Sequence, residues 1–260
     1  MSTKRLKIVH AALEVFDSVH EMANDVERIL VATKPHMIGG TEGGDDRRKR
    51  VLREILHDHG YVAMTADRGD SWGGVRQRLA GSGWSAHDLA VIPSAPASGD
   101  PHPYGTKAVV SISFDHRTLG HVGFIPGLHD LTKARYEGQA QQDKPGDPVD
   151  HVAASKKYMR AAAVVANQHA RGGGLAFLTG DFNRIDRTHN LMYNDDFLSC
   201  WDELRQWPDT GHGNIDAVIR MKSDRRVSLR SAQVLTDKEL KLNSDHYLVV
   251  AEYDIEKLEI

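Results

Sequence analysis

An α+β architecture, with two β-sheets packed face to face and helices outside them, is the fold class this sequence predicts. Three observations carry that expectation. The strand signals are short and rich in β-branched residues. The helical periodicities between them are too few for a strictly alternating parallel sheet. At 260 residues with 40% hydrophobic content, the chain is long enough for one large layered domain over a substantial core. No linker composition interrupts it, so residues 1–260 read as a single domain.

Taken in order, Leu6 to Val15 reads as a strand, and His20 to Val31 places Met22, Val26, Ile29 and Leu30 on one helical face before Pro35 stops it. His36 to Gly44 predicts a short strand running into glycines, with the carboxylate of Glu42 at its end. Arg47 to His57 predicts a helix with apolar Val51, Ile55 and Leu56, closed by Gly60. Tyr61 to Thr65 and Asp88 to Ile92 read as strands, and the glycine-rich Gly69 to Gly83 between them reads as a surface loop. Lys107 to Phe114 and His121 to Ile125 form two β-rich runs joined by a hairpin at Asp115 to Gly120, the second leading into Pro126 to Asp130. Glu137 to Asp150 reads as a polar, flexible segment and Ser155 to Ala170 as an alanine-rich helix. That helix feeds Leu175 to Leu178, an apolar run between Gly172–Gly174 and a Gly180-Asp181 turn. Such a run predicts a fully buried strand delivering polar side chains at its carboxyl end, where open α/β sheets keep their chemistry. An irregular segment to Gly213 follows, then strand signals at Ile215 to Ile219 and at Tyr247 to Ala251, the latter preceded by Ser244-Asp245-His246.

Polar groups gather at these predicted strand ends: Glu42, His129, Asp181 with Asn183, Asp216, and Asp245 with His246. A hard divalent cation such as Mg²⁺ needs only one or two carboxylates and keeps several waters, so Glu42 and Asp245 suffice as its anchor. Two histidines able to exchange protons near neutral pH complete the parts for metal-assisted phosphoester hydrolysis. Histidine-aspartate pairs such as His57-Asp58, His87-Asp88 and His129-Asp130 are expected by chance among 15 histidines. Asp100-Pro101-His102 lies in a proline-rich loop with no Gly-Asn-His following it, which discounts a calcineurin-like metallophosphatase.

Lys plus Arg at 33 against Asp plus Glu at 36 gives a net charge of -3, so local clusters must carry any case for a polyanionic partner. Arg47 and Arg48 follow the Glu42 strand end, and Arg225 and Arg226 follow the Asp216 strand; both groups are expected at the catalytic rim as phosphate contacts. Trp72 and Trp84 are expected in the exposed loop, where they could stack on bases. A single cysteine, Cys200, excludes an internal disulfide and a cysteine-based zinc cage. No run approaches the roughly 18 apolar residues of a membrane span, and His10 and Glu14 interrupt any signal-peptide core. The expected setting is cytoplasmic, with no membrane and no obligate protein partner.

GDFN at Gly180 to Asn183, SDHYLV at Ser244 to Val249, NIDAVI at Asn214 to Ile219, the Glu42 strand end and His129 together resemble the endonuclease/exonuclease/phosphatase superfamily. Deoxyribonuclease-I-like and exonuclease-III-like enzymes, sphingomyelinases and inositol-polyphosphate 5-phosphatases belong to it, and the order and spacing of the matched motifs cover nearly the whole chain. The resemblance implies a four-layer α/β/β/α sandwich of two mainly antiparallel sheets, deoxyribonuclease-I-like. It also implies a Mg²⁺- or Mn²⁺-dependent phosphodiesterase, most simply a nuclease acting on DNA or RNA by in-line water attack on phosphorus. Glu42 would bind the metal and Asp245 support it, Asp181 would position or deprotonate the water, and Asn183 would hold phosphoryl oxygens. His246 would stand at the scissile phosphate with Asp216 orienting its ring, and His129 would protonate the leaving oxygen. A phosphatase or phosphodiesterase acting on a small phosphorylated molecule or lipid head group is the alternative. One departure stands out: the family's first-strand asparagine has no counterpart in His10-Ala11-Ala12-Leu13-Glu14. Either His10 or Glu14 replaces it as a metal or water ligand, or the position is lost and the chain is a catalytically impaired nucleic-acid-binding protein.

Overall fold

The computed structural model describes residues 3–13, 18–67, 69–92, 107–129, 134–135, 139–140, 151–182, 196–211, 216–244 and 246–257. β1 (Thr3–Ala12) is followed by α1 (Val19–Thr33) and by β2 (Met37–Thr41), which lies parallel to β1 with Thr41 opposite Ala12. Ser18 starts α1 with a capping box, its side chain accepting from the Glu21 backbone while the Glu21 carboxylate accepts from its own. The helix ends where Lys34 turns into the left-handed conformation ahead of Pro35. α2 (Asp46–Asp58) is capped by Asp45, whose carboxylate accepts from Arg48 N at 2.9 Å. Next come β3 (Tyr61–Thr65), β4 (Trp72–Arg76), α3 (Gln77–Ala80), β5 (Trp84–Ile92), β6 (Lys107–His116) and β7 (Gly120–His129). The two-residue strands β8 (Ala134–Arg135) and β9 (Gln139–Ala140) pair with each other. α4 (His151–Ala170), β10 (Leu175–Asp181), β11 (Phe197–Ser199), α5 (Cys200–Leu204), β12 (Asp216–Met221), β13 (Val227–Leu235), α6 (Asp237–Leu240) and β14 (Leu248–Glu256) complete the order.

Two six-stranded sheets form, in the orders β13-β14-β1-β2-β4-β3 and β11-β12-β10-β7-β6-β5. Among the described strands only β1–β2 and β7–β10 pair in parallel, so both sheets are mainly antiparallel. Leu6, Ile8, Phe114, Phe124, Phe177 and Tyr253 bury their side chains in the core, with the Phe177 and Tyr253 rings 5.5 Å apart across the sheets. Each such large side chain contributes about 1.5–3 kcal/mol by leaving water. α1 and α2 cover the outer face of the first sheet through Met22, Val26, Ile29, Leu52 and Leu56, and α4 covers the second through Tyr158, Met159, Ala162 and Ala166. The result is the expected four-layer α/β/β/α sandwich.

The two parallel pairs decide where the chemistry goes. Parallel neighbours need a crossover, which α1 and α4 supply, and parallel strands end on the same side. The ends of β1, β2, β7 and β10 therefore share one rim, where the antiparallel β4, β12 and β14 begin.

Three local expectations are corrected. Gly69 to Gly83 is not a surface loop: β4 and α3 lie within it, and Trp72 is fully buried, donating from Nε1 to Thr41 O at 3.0 Å. Its glycine serves close packing, since a Cβ on Gly73 would stand 2.4 Å from Pro126 of the facing sheet. β7 does not stop at Ile125 but reaches His129, because a bulge absorbs Pro126, which has no N–H to give the ladder. Gly127 takes φ +63 there and its N–H donates to Thr179 Oγ1 at 3.2 Å. The edge strand β13 and the short β11–α5 unit went unread; β13 alternates poorly and carries a register shift at Leu229/Ser231. Of Glu137 to Asp150, only residues 139–140 are described.

His36, just before β2, couples this framework to pH. Burial, aided by the charges of Arg78, Lys4, Arg76 and Lys7, pushes its imidazole down to about 4, and Nδ1 accepts from Lys7 N at 3.0 Å. The unfolded chain takes up that proton near 6.5, so the stabilisation is whole above that value and is lost as pH falls toward 4. After allowance for partial exposure the loss is on the order of 1–2 kcal/mol. Urea unfolding at pH 7 and pH 4.5 should show His36→Gln losing less stability than the wild type by that amount. Equal losses would remove His36 as the cause.

Candidate active site

On the second sheet, strand register brings the rim together. Asp181 at the end of β10 lies opposite His129 on β7 and opposite Asp216 on β12. His129 Nδ1 donates to Asp70 Oδ2 at 3.0 Å, while its Nε2 lies 3.8 Å from Asp181 Oδ2. Asp70 is placed by the turn before β4, where Gly43 N donates to Asp70 O at 2.8 Å.

The first sheet supplies two imidazoles that meet Asp216 from the opposite side. Asp216 is fully buried. His10 Nε2 reaches its Oδ1 at 2.9 Å, His246 Nδ1 reaches Oδ2 at 3.1 Å, and the Thr210 hydroxyl donates to Oδ2 at 2.9 Å. Burial alone would raise the Asp216 carboxyl, but the charge of His246 and the bonds from His10 and His246 hold it well below the usual carboxylate range. For His246, burial would lower the imidazole, yet the Asp216 charge and hydrogen bond, joined by Asp181 and Glu42, push it up to about 10. His246 is thus an imidazolium at neutral pH.

The turn carrying His246 is tied down on three sides. Asp25 on α1 accepts from Asn243 N at 2.7 Å and from its amide at 3.0 Å. The Ser244 hydroxyl donates to Ala12 O at 2.9 Å and accepts from His246 N at 3.2 Å. Tyr247 N donates to Thr210 O at 2.8 Å. Glu42 sits just past β2 with φ +59, a left-handed conformation that costs a non-glycine residue roughly 1–2 kcal/mol.

The donor set suits a hard cation. Ligand atoms of Asp181, Asp216 and His246 lie within 4.8 Å of one another. Both Asp216 oxygens are already engaged by imidazoles and a hydroxyl; among the described residues, Asp181 and Glu42 are carboxylates that could hold a metal at the rim.

The structure gathers five predicted residues, Glu42, His129, Asp181, Asp216 and His246, at this rim. Asn183 and Asp245 lie outside the described residues, as does Glu14. Arg47 and Arg48 occupy the first turn of α2 just beyond Glu42, with Arg47 exposed and Arg48 buried over Gly44. Arg225 and Arg226 are not at the rim, which corrects their expected position. Asp216 is the first residue of its strand, so the chain after it runs away from the site. Arg226 donates instead to Gly173 O at 2.7 Å and Leu119 O at 3.3 Å. Both acceptors lie near the opposite ends of β7 and β10, roughly 20 Å of strand away. Trp84 is 39% exposed but pairs with Phe114 toward that far pole, and Trp72 is core. Asp70 and Thr210 had no sequence signal beyond lying in polar turns, and His10 turns out to contact Asp216 through Nε2, its Nδ1 being buried without a partner.

No protein-family model and no curated protein matches the sequence. Solved structures do match in shape. An endonuclease/exonuclease/phosphatase family protein from Bacteroides thetaiotaomicron superposes with TM-score 0.64 at 14% identity, over 99% of this chain and 100% of that one. D. rerio TDP2 complexed with a single-strand DNA product gives TM-score 0.61 at 13% identity, over 96% and 98%. A mannosyl-6-phosphatase from Bacteroides thetaiotaomicron gives 0.63 at 13%, over 95% and 99%. Likeness along essentially the whole length establishes that this chain has the fold of the endonuclease/exonuclease/phosphatase proteins.

Proposed function

We propose that the chain is a Mg²⁺- or Mn²⁺-dependent phosphodiesterase that hydrolyses a nucleic acid. The supporting observation is the convergence of His129, Asp181, Asp216 and His246, from four separate segments, at one rim beside Glu42. Asp181, with Glu42, holds the cation, which when bound offsets negative charge on the phosphoryl oxygens. Asp181 also orients the attacking water and takes its proton. His246, kept charged by Asp216, faces the charge that builds on the phosphorus oxygens. His129, steadied by Asp70, gives a proton to the leaving oxygen. The proposed roles of Asn183, on the phosphoryl oxygens, and Asp245, behind the metal, follow from their motifs. No helix of the described residues is long and apolar enough to cross a membrane.

A small phosphorylated molecule is the second reading. It is favoured by the removal of Arg225 and Arg226 to the far pole, which leaves Arg47 and Arg48 as the predicted cations beside the rim, and by the likeness to a sugar phosphatase. A panel of plasmid, single-stranded oligonucleotide, RNA, nucleotides and sugar phosphates, each with and without EDTA, separates them. Metal-dependent chain cleavage supports the nuclease. Phosphate release without it moves the assignment to phosphatase. Salt-sensitive nucleic-acid binding with no turnover leaves the impaired binder.

On a polynucleotide, Arg47→Ala should raise KM roughly 3–10-fold and flatten the log–log salt dependence by about one counterion. Arg226→Ala should leave KM unchanged and cost stability, since its bonds tie β13 to the far hairpin. A KM effect for Arg226 equal to that for Arg47 would contradict this placement.

A further inference from the structure

We infer that His10 is a positioning residue: from the opposite sheet it clamps Asp216, and so fixes the direction in which His246 presents its imidazole. The consequence for turnover rests on the phosphodiesterase reading; the clamp rests on geometry alone. A carboxylate offers about four lone-pair sites, and three of those on Asp216 are met by donors from three chain segments. His246 and Thr210 both act on Oδ2, which leaves the other oxygen to a separate donor. Among the described residues, His10 is the donor on Oδ1, at 2.9 Å. With both oxygens held, the carboxylate is braced from the first sheet at each of its two ends.

The fold makes this reach short. His10 pairs in register with Gly39, and a Cβ on Gly39 would stand 2.3 Å from Thr179 Oγ1 of the second sheet. The sheets therefore approach closely here, and an imidazole on β1 spans the gap. Among the described residues the ring makes no other hydrogen bond: it is fully buried, and Nδ1 meets no partner there. Burying such an atom costs about 1–3 kcal/mol, so a role in stability alone would be better served by an apolar side chain. Two residues on and on the same face, Ala12 presents only a methyl group. Side-chain polar contact from β1 to the site thus runs through His10, while the strand's last residue reaches the His246 turn only by its backbone carbonyl.

The test compares His10→Phe, which keeps a ring of similar size but no donor, with His10→Gln, whose amide can again donate to Asp216 Oδ1. Two readouts are taken on the full chain: kcat and KM with the best phosphoester substrate, and the ¹⁵N-resolved NMR signal of the His246 Nδ1 proton. Expected for His10→Phe is a kcat lower by about 10–100-fold with KM within about twofold, together with loss or broadening of the His246 resonance. His10→Gln should recover most of both. If the phenyl ring fails to pack, His10→Leu takes its place. A folded His10→Phe or His10→Leu with wild-type kcat and an unchanged His246 signal overturns the clamp. Equal losses in the Gln and donor-free variants overturn it as well, because bulk rather than the donor would then matter. Should the wild type turn over no phosphoester, the phosphodiesterase reading fails, while the NMR comparison still decides the clamp.

Discussion

Asp181→Asn is expected to lower kcat for phosphoester hydrolysis by about 10²–10⁴-fold while leaving the fold and the thermal unfolding midpoint close to those of the wild type. The substitution is nearly isosteric, so the buried end of β10 keeps its packing between β7 and β12. What disappears is a charge, and with it three contributions. The amide cannot accept a proton from water, is a weaker ligand for a hard cation, and no longer faces His129 Nε2 as an anion. Steady-state rates at saturating Mg²⁺, with circular dichroism as the control for folding, measure this. A variant retaining more than about a tenth of wild-type kcat would mean that Asp181 is not the group acting on water.

His246→Gln should have the second largest effect, a fall in kcat of about 10²–10³-fold. Gln retains hydrogen-bonding capacity toward Asp216 but cannot carry the positive charge that Asp216, Asp181 and Glu42 sustain on the imidazole. The loss should fall on kcat rather than KM, because the interaction strengthens only as charge builds on the phosphoryl oxygens. Removing the cation also leaves Asp216 buried with a weaker partner, so some destabilisation accompanies the kinetic loss. A variant changed in KM alone would assign His246 to ground-state binding.

The strands that build the rim were legible because their signals are local. β3 is found at the predicted Tyr61–Thr65, and β10 is buried at all seven positions, as an apolar run between glycines and a Gly-Asp turn implies. Glu42, His129, Asp181, Asp216 and His246, which the fold brings to one rim, were legible as candidates for the same reason, since short motifs fix both identity and position along the chain. What escaped was long-range. Nothing near Asp70 or Thr210 announces that one will meet His129 and the other Asp216, because those contacts depend on how turns distant in sequence are folded back. Direction was the other loss. Placing the residues that follow the Asp216 strand at the same rim as Asp216, when that strand carries the chain away from it, sent Arg225 and Arg226 to the wrong pole. Glycine misled in β4, where Gly73 permits close contact with Pro126 instead of marking a loop around Trp72.

Crystals grown with Mn²⁺ and inorganic phosphate, with anomalous data collected at the manganese edge, test most directly whether these segments form one metal and phosphate site. The predicted result is an anomalous peak contacted by Glu42 and Asp181, with phosphate oxygens within hydrogen-bonding distance of His129 and His246. A manganese peak elsewhere, or phosphate bound away from both imidazoles, would contradict it.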